Sequence, residues 1–145
     1  MNLTSRNVIN SITHIDVIFD HIDKVWTAKN DAPGIRNILD NKLDEMKAGK
    51  IKGIILFDKK QPKGLAWVDK PTKHYGNMIL HTLDIKYQKP LVKALVNSGL
   101  IDGALLELVI FEDTYLYDQA FKEHGLITNL RQRMAWFPPE NFSCP

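Results

Sequence analysis

The sequence predicts an α/β domain in which a mixed, mostly antiparallel central sheet of about six to seven strands is flanked by about four helices. Three observations predict it. Apolar residues recur with helical spacing twice before residue 50, and a polar turn separates two apolar runs after it. Residues 77–126 then follow the order strand, short helix, strand, short helix, which makes a βαβ unit with two neighbouring, parallel strands.

Length and composition indicate one globular domain over residues 1–145. The net charge of +2 is small and the basic residues are scattered, so we expect no nucleic-acid partner. The single cysteine, Cys144, cannot form an internal disulfide. No stretch has the apolar length of a membrane span, and the first residues lack the apolar core of a signal peptide. We therefore expect a cytoplasmic protein with no membrane partner.

The first third of the chain predicts an edge strand and two helices. Val8–Ile12 is predicted as a short edge strand, and Thr13 with Asp16 resembles a capping box that would begin a helix over Thr13–Lys29. Its apolar stripe consists of Ile15, Ile18, Phe19, Ile22, Val25 and Trp26. A second stripe over Ile35–Met46 predicts another helix, which ends near a glycine.

The middle of the chain predicts three antiparallel strands. Ile51–Phe57 is apolar on both faces and should be central, and the polar turn Asp58–Lys63 leads into the returning strand Gly64–Val68. The next strand, Asn77–Ile85, alternates between two faces. One face carries Met78, Leu80 and Thr82, and the other carries Ile79, His81 and Leu83.

The predicted βαβ unit contains a charged joint between strand and helix. The elements that follow the joint Lys86–Pro90 are predicted as helix Leu91–Ser98, strand Ala104–Glu112, helix Tyr115–His124 capped by Asp113 or Thr114, and strand Ile127–Phe137. A helix that begins directly after a strand presents unpaired backbone N–H groups, which suit the phosphates of a nucleotide-like ligand. This predicts ligand contacts at Ile85, Lys86, Tyr87, Gln88, Lys89, Leu91, Val92 and Lys93. The alternative for the three lysines is a solvated helix edge.

The order of elements resembles that of the GNAT superfamily of acyl-CoA-dependent N-acyltransferases. The resemblance includes the segment Phe121–Leu126, which leads into Arg131–Met134 where the family has a basic residue and a methionine on its final strand. It implies that the fourth and fifth strands separate and hold the pantetheine arm of acetyl-CoA or another acyl-CoA. It also implies a pyrophosphate site at the crossover helix, with Gln88 at the first position of the family's phosphate motif.

The same comparison shows two departures from the family pattern. Leu91 and Lys93 stand where the phosphate motif has glycines, and Pro90 removes one amide donor. Phe121 stands where the family has the tyrosine that protonates the thiolate leaving group.

The resemblance implies a base on the fourth strand and an acid on the last helix, for which His81, Asp84 and Tyr115 are the candidate catalytic residues. His81 has a second interpretation as a buried, hydrogen-bonded core histidine. Tyr117 is expected to pack in the core. Glu107, in an apolar strand, either reaches the surface or is buried and paired. No histidine or cysteine spacing indicates a metal site.

These observations predict an acyl-CoA-binding protein that transfers an acyl group to the amine of a small molecule or a protein. The alternative, favoured by the two departures, is a non-catalytic GNAT-like regulatory or protein-interaction domain, or one half of a two-domain acyltransferase. For the non-catalytic domain we expect a homodimer or a requirement for a partner protein. A third alternative is a different α+β binding domain.

Overall fold

The computed structural model describes residues 1–126 of the 145-residue chain. The strands are β1 (Leu3–Asn7), β2 (Lys52–Asp58), β3 (Gln61–Asp69), β4 (Tyr75–Thr82) and β5 (Leu105–Ile110). The helices are α1 (Ile15–Asn30), α2 (Arg36–Lys47), α3 (Gln88–Ser98) and α4 (Tyr117–Glu123). The predicted strand Ile127–Phe137, the Arg131–Met134 motif and Cys144 lie outside the described residues.

The five strands of the described chain form one sheet in the order β1-β2-β3-β4-β5. Neighbours are antiparallel except β4 and β5, which are parallel and joined by α3. The predicted mixed sheet and its βαβ unit are therefore confirmed. Residues 1–126 contain five of the expected six to seven strands, and the predicted strand Ile127–Phe137 lies outside them.

The sheet separates two hydrophobic layers. Helices α1 and α2 pack on one face, where β4 contributes Ile79. Helices α3 and α4 pack on the other face, where β4 contributes Met78 and Leu80. Because successive side chains of a strand point to opposite faces, the alternation predicted for Asn77–Ile85 assigns Met78, Ile79 and Leu80 to the correct layers, although the strand ends at Thr82 and not at Ile85.

The N-terminal prediction was wrong in detail. Val8–Ile12 is not a strand: Val8–Asn10 and Ile12–His14 form short 3₁₀ turns, and the edge strand β1 precedes them. The side chain of Val8 is buried, and it lies so close to Gly53 that a methyl group on this glycine would meet it at 2.8 Å. The apolar character of Val8 therefore reflects packing beneath the sheet, while β1 is held by backbone pairing with β2.

Both predicted helix caps were also wrong. Helix α1 is preceded by His14 and α4 by Leu116, and neither residue, nor Thr13, Asp113 or Thr114, supplies a side-chain cap. At α1 the preceding 3₁₀ turn leads directly into the helix, so the chain is already helical before the predicted cap could act.

The β2–β3 hairpin is tighter than predicted. Its turn consists of Lys59 and Lys60, both with positive φ (52° and 70°), as two-residue hairpin turns require. Gln61 and Pro62, which were predicted to lie in the turn, already pair with β2.

No helix within residues 1–126 combines the length and apolar character needed to cross a bilayer.

Candidate functional site

The β4–β5 ladder stops before the end of β4. Its last pair is Leu80 with Ile110, and His81 and Thr82 continue β4 without a partner on β5. The chain leaves β5 through Phe111 and Glu112 toward α4. The two parallel strands are therefore unpaired beyond Leu80 and Ile110, close to the place where the sequence predicts a cleft, and we call this unpaired end the separation. His81 lies on the α1 side of this separation and Thr82 on the α3 side.

On the α3 side, the carboxylate of Glu112 fills the separation. It accepts hydrogen bonds from the Thr82 hydroxyl, from the Thr82 backbone N–H, from Gln88 Nε2 at 3.1 Å and from the Tyr117 hydroxyl. The donors belong to β4, α3 and α4, so one carboxylate joins the three elements around the cleft. We call Thr82, Gln88 and Tyr117 the donor ring.

Burial controls the protonation of this group. Desolvation raises the pKa of Glu112, while the hydrogen bonds from the donor ring act in the opposite direction. Burial, followed by the charge of Glu112, raises the pKa of Tyr117 well above its usual value. Tyr117 is therefore a protonated donor to Glu112, and its predicted core position is confirmed because its side chain is buried.

The start of the crossover helix differs from the predicted phosphate cradle. A 3₁₀ turn over Ile85–Tyr87 precedes α3, and Asp84 caps it by accepting from the Lys86 amide at 3.0 Å. The amides of Tyr87 and Gln88 bond to the carbonyls of Asp84 and Ile85. Because these amides are paired within the chain and the Asp84 carboxylate lies beside them, the joint offers no free donors at these positions to a phosphate.

The side chain of Gln88 is also hydrogen-bonded within the protein. It is 1% exposed, donates to Glu112 and to the Thr114 carbonyl at 2.9 Å, and accepts from the Leu116 amide at 2.6 Å. The phosphate contact of Gln88 stays a prediction, and such a contact would have to replace these three internal hydrogen bonds.

The remaining predicted ligand contacts do not converge. Tyr87, Leu91 and Val92 are buried in the α3 layer, and the Tyr87 hydroxyl bonds to Asp58 at 2.7 Å. Lys89 pairs with Glu123 at 2.9 Å. Ile85 and Lys86 are exposed, and Lys93 lines a groove between α3 and β1, which lies at the opposite edge of the sheet from the cleft.

On the α1 side of the cleft, His81 forms a pair with His21 of α1. His81 Nε2 lies 2.7 Å from His21 Nδ1, and the His81 ring is 0% exposed beside the edge of Phe111. Burial, with a smaller contribution from His21, lowers the pKa of His81 to about 3. His81 is therefore neutral at physiological pH, and the interpretation as a buried, hydrogen-bonded histidine describes it.

The other candidate residues occupy separate places. Asp84 is exposed and serves as the cap described above. Tyr115 is half-buried and stacks on Tyr117 with ring centroids 6.4 Å apart. Glu107 is exposed and lies opposite Asn77, so the surface alternative describes it.

Sequence reasoning missed Glu112, Thr82 and His21 as members of the site. The available signal for Glu112 was a carboxylate placed directly after the most apolar strand. Thr82 and His21 carried no signal, because their partners are distant in sequence and become neighbours only in the folded sheet. Within residues 1–126 no cluster of histidine, cysteine and acidic side chains could hold a metal ion.

No family model and no curated protein matches the sequence. Solved structures do match, and they are acetyltransferases of the GNAT fold. The fold of this chain is therefore that of the GNAT superfamily, as the order of its elements predicted.

Three of these structures define the likeness. A predicted acetyltransferase from Clostridium acetobutylicum, solved with acetyl-CoA, is 14% identical, with 90% of this chain and 93% of that chain covered and a TM-score of 0.53. An aminoglycoside acetyltransferase from an uncultured soil metagenomic sample, in complex with sisomicin, is 13% identical over 94% and 95%, with a TM-score of 0.54. A GNAT-family acetyltransferase from Streptococcus pneumoniae is 12% identical over 86% and 83%, with a TM-score of 0.54. At these identities the likeness shows the fold alone.

Proposed function

We propose that this protein binds an acyl-CoA between β4 and β5 and transfers the acyl group to an amine. The observation that carries the proposal is the end of the β4–β5 ladder at Leu80 and Ile110. Beyond this pair the backbone of β4 is free of β5 and can bond to the amide groups of a pantetheine arm. The C. acetobutylicum protein, which shares the fold, was solved with acetyl-CoA, and this supports the choice of ligand.

An amine-bearing small molecule is the proposed acceptor. The soil-metagenome protein of the same fold is an aminoglycoside acetyltransferase that was solved with sisomicin. A protein amine is the second acceptor class. The proposed place of the reaction is the cytoplasm.

The proposed chemistry is direct attack. The uncharged amine nitrogen bonds to the thioester carbonyl carbon, the carbon–sulfur bond breaks, and the thiolate leaves with a proton. Tyr115 is the proposed proton donor, because Tyr117 is already committed to Glu112. Asp84, which is exposed, is the proposed acceptor of the amine proton. His81, the other predicted base, is buried against His21 and its pKa is lowered to about 3, which disfavours it in this role. Most of the rate would come from holding amine and thioester in contact.

A non-catalytic GNAT-like domain is the second candidate function. Three features favour it: the paired amides of the joint, the Asp84 carboxylate beside them, and the buried, fully bonded Gln88. Each removes a contact that a CoA pyrophosphate would need. In this case the protein would act through a partner or as a homodimer.

Calorimetry with acetyl-CoA and with a longer acyl-CoA tests ligand binding, and release of free CoA thiol in the presence of a panel of amines tests transfer. Micromolar binding with amine-dependent thiol release supports the enzyme. Binding without release supports the non-catalytic domain, for which light scattering should show a dimer. No heat with either ligand at millimolar concentration would refute acyl-CoA binding.

Replacing Tyr115 with phenylalanine tests the assigned proton donor. General acids typically contribute about 10²–10⁴-fold, so Tyr115→Phe should lower turnover by that order with little change in acyl-CoA affinity. Tyr75→Phe, which alters an exposed tyrosine at the start of β4, is the matched control. Equal turnover in the two variants would remove Tyr115 from the mechanism.

A further inference from the structure

We propose that the donor ring of Thr82, Gln88 and Tyr117 is a binding site for a carbonyl oxygen of the acyl-CoA arm, and that the Glu112 carboxylate is its resting occupant. The inference rests on the proposed function, because it assigns the place where the acyl-CoA would enter. It adds a step to ligand binding: the Glu112 carboxylate must leave the donor ring before an oxygen of the ligand can bind there.

The geometry of the donor ring supports an oxygen site. Four donors converge on one carboxylate: a backbone N–H and a hydroxyl from Thr82, the amide of Gln88 and the hydroxyl of Tyr117. Thr82, Gln88 and Tyr117 are all buried, so none can exchange Glu112 for bulk water without opening the core. Only an oxygen acceptor satisfies such a set, and carbonyl and carboxylate oxygens are the chemical class that fits.

The position of the donor ring supports the identity of the ligand. Thr82 is on the part of β4 that has left β5, so the Glu112 carboxylate occupies the separation itself. Its bond to the Thr82 backbone N–H uses the donor that a pantetheine amide carbonyl would need. A pantetheine arm and the Glu112 side chain therefore compete for the same donors.

The backbone beside Glu112 is held independently of its carboxylate. The backbone on either side is held by Lys29 of α1, whose Nζ donates to the Phe111 carbonyl at 3.2 Å and pairs with Asp113 at 2.8 Å. These contacts involve neither the Glu112 carboxylate nor the donor ring. They can therefore stay in place when the carboxylate leaves, while the buried donors must open locally to admit a ligand oxygen.

Removing the resting occupant tests the inference. In Glu112→Ala the donor ring lacks its acceptor, so acetate should bind there and raise the melting temperature relative to chloride at equal ionic strength. The same variant should bind acetyl-CoA at least about tenfold more tightly than the wild type if Glu112 leaves the site free in about a tenth of the molecules or fewer, because apparent affinity is the intrinsic affinity multiplied by that free fraction. Glu107→Ala, on the exposed face of β5, is the matched control and should behave as the wild type in both assays.

Two further variants extend the test, and the first of them also serves if Glu112→Ala folds poorly. Glu112→Gln retains an acceptor oxygen and should bind acetyl-CoA with an affinity between those of the wild type and Glu112→Ala. The double variant Glu112→Ala with Thr82→Val removes a donor while keeping the side-chain shape, and it should lose the response to acetate.

The outcomes separate this inference from the proposed function. Acetyl-CoA binding that is equal in the wild type, Glu112→Ala and Glu112→Gln would overturn the inference and leave the proposed function in place. Acetyl-CoA binding by none of them would refute the proposed function, and the acyl-CoA assignment of the donor ring with it. An acetate response that is equal in the wild type and in Glu112→Ala would overturn the oxygen site itself.

Discussion

Acidification should destabilise this protein through His81. The buried imidazole has a folded-state pKa of about 3, whereas in the unfolded chain the pKa is about 6.5. Between these values the unfolded state binds a proton that the folded state does not. The stability contributed by neutral His81 is therefore fully present above pH 6.5 and is lost as the pH falls toward 3.

The magnitude follows from the two pKa values. Lowering the pH from about 7.5 to about 5 should cost about 2 kcal/mol of unfolding free energy, because the unfolded histidine becomes almost fully protonated while His81 stays neutral. The result hardly changes if the folded-state pKa is one unit higher or lower, since at pH 5 the folded form remains neutral in either case. His21, whose pKa is also lowered by burial, adds in the same direction.

The assay is urea unfolding at pH 5, 6 and 7.5, followed by tryptophan fluorescence, for which the buried Trp67 is a reporter. His81→Leu should show a loss on acidification that is smaller than that of the wild type by about 2 kcal/mol. His124→Leu, at an exposed position after α4, is the control and should retain the wild-type loss. Equal losses in the wild type and His81→Leu would refute the reasoning, as would an NMR titration of His81 near pH 6.5.

Three further substitutions test the packing around the cleft. Burial raises the folded-state pKa of Glu112 above its unfolded value of about 4.5, so the contribution of Glu112 to the free energy of unfolding falls as the pH rises through that folded-state pKa. Glu112→Gln should abolish this pH-dependent loss of stability in unfolding curves measured from pH 4 to 8. Gln88→Ala removes three buried hydrogen bonds and should cost roughly 2–4 kcal/mol in urea unfolding, whereas the exposed Gln119→Ala should cost less than about 0.5 kcal/mol. Gly76→Ala places a methyl group 2.2 Å from the Asp69 carbonyl oxygen and should lower the free energy of unfolding by roughly 1–3 kcal/mol. A urea unfolding midpoint equal to that of the wild type would contradict this contact.

The sequence predicted the central strands and the helices α1 and α2 better than the first strand, the helix caps and the turns. Apolar periodicity predicted α1, α2 and the central strands, because a buried face imposes a period of 3.6 on a helix and 2 on a strand. The apolar pattern gave a wrong prediction at Val8, which is buried because it packs against Gly53 and lies in a 3₁₀ turn, not in a strand. Caps and turns were predicted less well, since their bonds depend on the local backbone path.

The sequence by itself determined the order of the elements, the two faces of β4 and the position of the joint before α3, since these follow from local periodicity and from turn residues. Only the tertiary structure decided the chemistry of the cleft. Gln88 stands at the predicted joint, yet its side chain turns inward because Glu112, Thr114 and Leu116 offer it partners in the fold. His81 is neutral because α1 covers it and supplies His21. Burial and hydrogen-bond partners are properties of distant segments brought together, and neither is encoded in the residues adjacent in the chain.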